Sequence, residues 1–424
     1  MTTIISPLLT TGNQSPKLSA LPPLSLYIHI PWCLKKCPYC DFNSHAIRDN
    51  NEIQEKAYVS ALIRDLESAL PHVWGRRLTS VFFGGGTPSL FSADSINSLL
   101  TAVNTLLPLE PGAEVTLEAN PGTFEAKKFA DYRTAGINRL SIGVQSFNPL
   151  HLQALGRIHD AQNAIEAIEI AQKNFDNINL DLMYALPGQT VNDAENDIKT
   201  ACTFKAQHLS VYHLTLEPNT LFHRFPPILP DDEQSAVMQD VIEQTLADHH
   251  YLHYETSAFS KHGHVSQHNM NYWLFGDYLG IGAGAHSKIS FETSIIRQMR
   301  FKQPKEYMEK AAHAGARSET TIQTQHSLSN NDRCFEFMMN ALRLTGGFES
   351  ALFQERTGLS ITAILPQLNE AEQQGLIIRN HAHTTPTQMG RNFLNDLLHI
   401  FLPENQNSLI DAKENAKRFD HTKK

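Results

Sequence analysis

Apolar residues recur along this 424-residue chain in two alternating rhythms. Short runs bounded by turn residues read as buried strands: SLYIHI (25–30), LTSVFF (78–83), EVTLEA (114–119), INRLSIG (137–143), INLDLMY (178–184) and HLSVYHL (208–214). Between them lie longer stretches with apolar positions three and four apart, the mark of a helix packed on one side. These are 52–70, with Ile53, Ala57, Leu62 and Leu66 on one face, then 93–107, 124–136, 160–174 and 191–204. Repeated strand-then-helix units predict parallel strands joined by right-handed crossovers. Polar, glycine-bearing segments follow nearly every strand, as when all loops ring one mouth. The expected fold is therefore α/β with a partial (β/α)6 barrel, not a doubly wound sheet.

Beyond the sixth strand the rhythm changes. Helical periodicity returns over 333–344, 349–357 and 361–374, then LIIRN (376–380) and a hairpin-like stretch lead into 384–402. Helices followed by a short wing predict a mostly helical, winged-helix-like C-terminal domain. The expected division is a flexible N-terminal segment (1–20), a barrel core (21–255), a connecting segment (256–329), the C-terminal domain (330–403) and a polar tail (404–424) that frays.

Charge removes one class of partner. The formal net charge is -9, and residues 330–400 hold seven acidic and five basic side chains, so neither the chain nor its winged module offers a general reason to bind nucleic acid. That module is expected to cover a substrate or dock a partner. The N-terminus lacks a basic start and a long apolar core, and no run approaches the roughly 18 apolar residues that cross a bilayer. A reducing cytoplasm is the expected setting, where clustered cysteines hold metal more often than they form disulfides.

Three of the five cysteines fall within CLKKCPYCDF, at Cys33, Cys37 and Cys40. C-x3-C-x2-C lacks the fourth ligand of a closed zinc site, which His29 or His45 would have to supply. The alternative is a [4Fe-4S] cluster with three irons on thiolates and the fourth open to a ligand. Cysteines without metal are the third reading. Trp32, Tyr39 and Phe42 would shield a cluster from water. Cys202 and Cys334 sit among apolar helical neighbours and read as buried thiols.

Other chemistry clusters at the strand ends. GGGTP (84–88) is neither a Walker loop nor a dinucleotide fingerprint, and three consecutive glycines let backbone approach a ligand closely; a tight turn is the plainer reading. Glu118 closes the third strand, Gln145 follows the fourth, Arg157 comes at the next helix approach and Asp181 lies within the fifth strand. Any one could be a structural ion pair or cap, but together they face one mouth. Further on, SKHGHVSQHNMNYW is polar and histidine-rich, so packing in an apolar core is not expected there. In it His268 could ligate haem iron, Asn269 orient it, and Tyr272 and Trp273 offer flat surfaces to a macrocycle; with 21 histidines in the chain, a plain surface reading also stands. GIGAG (280–284) with His286 reads either as a loop lining the mouth or as a strand turn.

The motifs Y-x-H-x-P-W-C-x3-C-x-Y-C, GGGTPS, LEANP, SIGVQSF and DLMYALPGQT together resemble the radical S-adenosylmethionine family, in its branch related to oxygen-independent coproporphyrinogen III dehydrogenase. The resemblance spans roughly residues 24–400. It implies a cluster whose open iron is chelated by S-adenosylmethionine, which a reduced cluster cleaves to methionine and a 5'-deoxyadenosyl radical. Carried over residue by residue, it implies that Tyr27, Gly85 and Glu118 contact that molecule, while Gly86, Thr87, Gln145, Arg157 and Asp181 line the same site or a second one. Two departures select the branch. Phe42 stands where the dehydrogenases carry a further cysteine, and HNMNYW (268–273) matches the H-N-x-x-Y-W motif of the HemW group of haem chaperones. The resemblance thus implies a protein that binds haem and passes it to an acceptor apoprotein, for which a respiratory haem protein at the membrane is one option. A reductant for the cluster is also implied, and a homodimer is left open. A coproporphyrinogen dehydrogenase and a non-catalytic iron-sulfur electron-transfer protein are the alternatives.

Overall fold

The computed structural model describes residues 16–47, 53–122, 126–314 and 320–403; the N-terminal fifteen residues and the polar tail 404–424 lie outside the described residues. Strands β1 (Leu24–Ile30), β2 (Leu78–Gly85), β3 (Leu109–Ala119), β4 (Arg139–Gln145), β5 (Ile178–Tyr184) and β6 (His208–His213) lie side by side in chain order. Each pairs in parallel with the next. The partial six-strand barrel expected from the repeat is present. Beyond β1 the sheet continues through Asp277–Ile281, which is parallel, and then through His286–Ser290, Ile295–Arg300 and Ile322–Ser327, all antiparallel. Beyond β6 it ends in Ala258–Ser260 and Leu252–Glu255.

Residues of one parity on the barrel strands, such as Ile28, Val81, Phe83, Leu117, Leu140, Ile142, Leu180 and Leu209, are buried in one core with the crossover helices. Each such side chain contributes about 1.5–3 kcal/mol by leaving water. The crossover helices Ala93–Leu106, Ala161–Asn174 and Val191–Thr203 begin on Ser92, Asp160 and Thr190, whose side chains accept the orphan amides of the first turn. The first helix, Glu55–Val73, buries Leu62 and Leu66 as expected, but the stripe is completed by Tyr58 and Val59, and Ala57 is exposed. Three and four residues before Leu62 are Val59 and Tyr58, so the helical period selects them over Ala57.

That same face buries a carboxylate. Asp65 accepts hydrogen bonds from Arg300 Nε (3.1 Å), Tyr307 Oη (2.9 Å), Thr321 Oγ1 (2.6 Å) and the Gly282 amide (3.3 Å). It thereby joins the first crossover helix to the outlying antiparallel strands. A second anchor is Asp277, paired with Arg76 and Lys288.

The C-terminal part packs the helices Asn330–Ala341, Ser350–Thr357 and Leu365–Gln373 around Phe337, Phe348, Phe353 and Leu368. A three-stranded sheet flanks them, in the order Phe348–Glu349, His383–Pro386, Ile377–Arg379. At the other end Leu18 is buried, and its amide donates to the Glu292 carbonyl. Among the described residues no helix is long and apolar enough to cross a membrane.

Replacing Asp65 by alanine leaves the Arg300 guanidinium buried without its carboxylate. The expected cost is about 3–5 kcal/mol, read as a lower unfolding free energy in urea; a loss below about 1 kcal/mol would show that the site relaxes around the vacancy.

Candidate functional site

The cysteine loop leaves β1 at Ile30 and is folded back on itself. Trp32–Cys33 pairs with His45–Ala46, and Lys36 Nζ donates to the carbonyls of Phe42 (3.0 Å) and Ser44 (3.3 Å). Asn43 fastens the loop to the sheet, donating to the carbonyls of Ala283 and Lys302, both at 2.9 Å. GIGAG is therefore a strand turn that supports this loop. Gly284 has φ +80°, and a Cβ there would come within 2.4 Å of the Asn43 amide nitrogen. Cys33, Cys37 and Cys40 are free, partly exposed and line one cavity of about 390 Å³; Cys202 is buried and Cys334 half-buried, both away from it.

The end of β2 closes on the loop from the side. Gly86 donates to the Ile30 carbonyl (2.8 Å) and Thr87 to that of Trp32 (2.7 Å). A Cβ on Gly86 would stand 2.5 Å from the Trp32 oxygen, and one on Gly85, at φ +114°, 2.5 Å from the His29 ring. The glycines thus bring β2 against the thiol loop while Gly85, Gly86 and Thr87 still line the cavity.

The opposite wall is polar. Glu118, Gln145, Arg157 and Asp181 all line the same cavity. Glu118 accepts from the Gly85 amide (3.2 Å). Low-polarity surroundings, helped by the Asp181 carboxylate, push its carboxyl up to about 8 against the pull of that amide. Burial likewise raises Asp181, whose oxygens accept from Ser141 Oγ (2.8 Å) and Asn179 Nδ2 (2.9 Å). Arg157 donates to Asn120 Oδ1 (2.9 Å) and the Gly143 carbonyl (2.8 Å), and approaches Cys37 Sγ at 3.6 Å. Sequence alone does not single out Asn120, although it stands two positions after Glu118 in LEANP; it donates to Thr87 Oγ1 (3.1 Å) and so bridges both walls.

Tyr27 lies deeper, its hydroxyl 3.0 Å from His29 Nδ1, while His29 Nε2 is 2.9 Å from the Asn43 carbonyl. The carbonyl can only accept, so Nε2 carries the proton and Nδ1 accepts from tyrosine. His29 has no nitrogen left to complete a three-cysteine zinc site. Among the described residues no three His, Cys, Asp or Glu side chains are gathered as one metal ion would need. Three thiols around one cavity, with a cation beside them, suit a cluster that spreads its ligands over separate irons.

The histidine-rich segment departs from expectation. His268 lies on the helix Gln267–Trp273 and is buried at the base of the barrel, against the lower half of β2. Its Nδ1 meets Ser80 Oγ (2.9 Å), its Nε2 meets Tyr272 Oη (3.2 Å), and its ring stacks on Phe82. Burial and the Arg139 charge lower its pKa to about 3. The polar sequence reflects a polar lumen, not solvent, and as placed His268 has neither ring nitrogen free for iron. Asn269 and Trp273 are half-exposed, with Arg343 over the Trp273 ring.

A parallel barrel with three thiols and two carboxylates at one mouth defines a radical S-adenosylmethionine protein: residues 27–201 match the Radical SAM superfamily, and residues 328–393 match the HemN C-terminal domain. Family membership carries the capacity to bind S-adenosylmethionine and an iron-sulfur centre. More narrowly, the chain belongs to the HemW family, related to but distinct from HemN. It is 45% identical over 389 residues to heme chaperone HemW of Escherichia coli, covering 91% of this chain and 99% of that one. It is 34% identical over 387 residues to heme chaperone HemW of Bacillus subtilis, covering 90% and 99%. The solved structure of Escherichia coli coproporphyrinogen III oxidase (HemN), a radical SAM enzyme, matches with a TM-score of 0.75 at 22% identity over 90% of each chain, a likeness of fold.

Two outcomes are expected. Gly86→Ala should push the cysteine loop outward, so that iron and sulfide bound per chain after anaerobic reconstitution fall well below the parent's; unchanged loading would show that the loop yields freely. In the protein without cofactors, Glu118 stays protonated when folded up to pH about 8, against an ordinary value of 4.5. Folding then takes up a proton between those values, so parental stability declines as pH rises from 4.5 through 8 and levels off above. Glu118→Gln lacks this loss, and urea unfolding at pH 5 and pH 9 should show the variant gaining on the parent at the higher pH.

Proposed function

We propose that this chain is a haem chaperone: it binds haem and transfers it to an acceptor apoprotein, with Cys33, Cys37 and Cys40 holding a [4Fe-4S] cluster whose open iron takes S-adenosylmethionine. The observation that carries the reading is the end-to-end match to heme chaperones HemW, at 45% identity, of a chain whose three loop thiols share one cavity. When bound, the cluster supplies an electron able to cleave the sulfonium bond. In this reading Tyr27, Gly85 and Glu118 bind S-adenosylmethionine, with the Glu118 carboxylate accepting from its ammonium or ribose hydroxyls. Gly86, Thr87, Gln145, Arg157 and Asp181 line the same site or a second molecule's. Arg157 sets its guanidinium 3.6 Å from Cys37 Sγ, and the aromatic loop side chains limit water.

The barrel core (21–255) would carry the cluster, the connecting segment (256–329) the HNMNYW motif, and the C-terminal domain (330–403) the docking or covering surface. A cytoplasmic chaperone would meet its acceptor, a respiratory haem protein being the candidate, at the membrane surface, and would draw its electron from a separate reductant. Haem contact by Asn269, Tyr272 and Trp273 fits the half-exposed outer end of their helix. Ligation by His268 requires that residue to leave Ser80 and Tyr272.

Absorption titration of the purified protein with haem tests the reading: saturable binding followed by transfer to an apoprotein supports it, and stoichiometric protoporphyrinogen formation from coproporphyrinogen III under reducing anaerobic conditions overturns it. Unchanged haem binding by His268→Ala would place the iron ligand elsewhere. Transfer as fast in a folded triple Cys33→Ala, Cys37→Ala, Cys40→Ala variant would separate the cluster from haem delivery.

A further inference from the structure

A single directed chain of hydrogen bonds runs through the barrel lumen from the base to the cavity. At its upper end is Asp181, whose Oδ1 accepts from Asn179 Nδ2 (2.9 Å). The Asn179 amide is fully engaged: its nitrogen also reaches Ser141 Oγ (2.7 Å), and its oxygen meets His208 Nδ1 (2.6 Å) and Ser210 Oγ (3.1 Å). The opposite orientation of that amide would set its oxygen against the Asp181 carboxylate, so the nitrogen faces Asp181. His208 Nδ1 must then carry the proton, which leaves Nε2 to accept from the Tyr254 hydroxyl (2.8 Å). The Tyr254 oxygen in turn takes the Ser266 amide (3.3 Å), and Ser266 Oγ caps the helix Gln267–Trp273 by accepting from Asn269. Every donor in this sequence points toward Asp181. His208, Asn179 and Ser266 are buried and Tyr254 and Asp181 half-buried, so the middle of the sequence is shielded from bulk water.

We propose that Asn179, His208 and Tyr254 are positioning residues: they hold the Asp181 carboxylate toward the S-adenosylmethionine cavity and tie its orientation to the helix that carries HNMNYW. The inference rests on the reading that this cavity takes S-adenosylmethionine. None of the three lines the cavity, and each acts through its neighbour. Asn179 is the junction, since its two amide atoms separate the donors below from the carboxylate above. Removing the Tyr254 hydroxyl leaves His208 Nε2 without a donor and frees the ring to turn, which releases the Asn179 oxygen and then Asp181. In the other direction, a ligand that draws on Asp181 tightens each link down to the Ser266 amide.

The test is a double-mutant cycle on the cluster-reconstituted protein, with S-adenosylmethionine affinity measured by calorimetry. Tyr254→Phe should weaken binding about three- to tenfold, the scale of one neutral hydrogen bond, while Asp181→Asn removes most of that effect when the two are combined. An unchanged Kd in Tyr254→Phe overturns the proposal, and so does an equal loss in the parent and Asp181→Asn backgrounds, because a merely structural tyrosine would act without regard to Asp181. Amide hydrogen exchange on the unsubstituted protein keeps the test open if Tyr254→Phe does not fold. Added S-adenosylmethionine should slow exchange at 266–269, and no change there overturns the link. Absence of any S-adenosylmethionine binding by the parent, with its cluster intact, would instead refute the reading of the cavity.

Discussion

Polar groups buried in the barrel lumen mostly find partners there, the Thr116 hydroxyl being an exception, and this constraint shapes the barrel from mouth to base. Ser80, Glu114, Thr116, Arg139, Ser141, Asn179, His208 and Ser210 are all buried. An unmatched group among them costs on the order of 1–3 kcal/mol. The helix Gln267–Trp273 answers much of that demand. Its amides at Gln267 and His268 donate to the Glu114 carboxylate, at 3.2 and 3.1 Å, and the His268 ring takes Ser80. A histidine that reads as surface from its sequence neighbours is thereby drawn to the centre of the fold. The helix thus packs against the end of the barrel opposite the thiols.

The thiol loop inherits its rigidity from elements far away in sequence. Tyr58, on the first crossover helix, donates to the His29 carbonyl (2.9 Å) and accepts from the Ala283 amide (2.8 Å). Asp65, two turns along, takes Gly282 together with Arg300, Tyr307 and Thr321. The turn so fixed presents the Ala283 carbonyl to Asn43 in the loop. A constellation meant to hold three ligands needs such support, because a loop held only at its ends would let the thiols drift. The antiparallel extension beyond β1 can be understood in these terms, as a brace for the cysteine loop.

The strands and crossover helices were legible because each is a local pattern of apolar spacing closed by a capping residue such as Asp160 or Thr190. The mouth was legible as well, because Glu118 and Gln145 fall at or near strand ends that a parallel barrel must bring together. The fate of buried polar residues was not. His268 meets Ser80 across 188 residues, and Asp65 meets Thr321 across 256, and nothing in the local sequence names either partner. Apolar spacing places Ala57 on a core face that Tyr58 occupies, since a tyrosine with a satisfied hydroxyl packs as core. GIGAG admitted two readings until its contact with Asn43 chose between them.

A shared fold at 22% identity fixes where a site lies and leaves its chemistry to side chains. At this mouth the informative side chain is Phe42. A thiol two positions beyond Cys40 would add a nucleophile or a further metal ligand; a phenyl ring can do neither. The ring is 60% exposed, and Leu34 in the same loop is 49% exposed. Lone apolar side chains on a surface are ordinary, but these two flank the thiols, beside the exposed Lys35 and Lys36. Whatever approaches the cysteine loop therefore meets apolar contact bordered by charge of both signs, since Asp41 beside Phe42 is exposed as well. Deeper in, the Glu118 and Asp181 carboxylates are held on the far wall, with Arg157 turned toward Cys37. Outer and inner surfaces of one opening thus select for different features, and an approaching molecule need not be the one bound against the carboxylates.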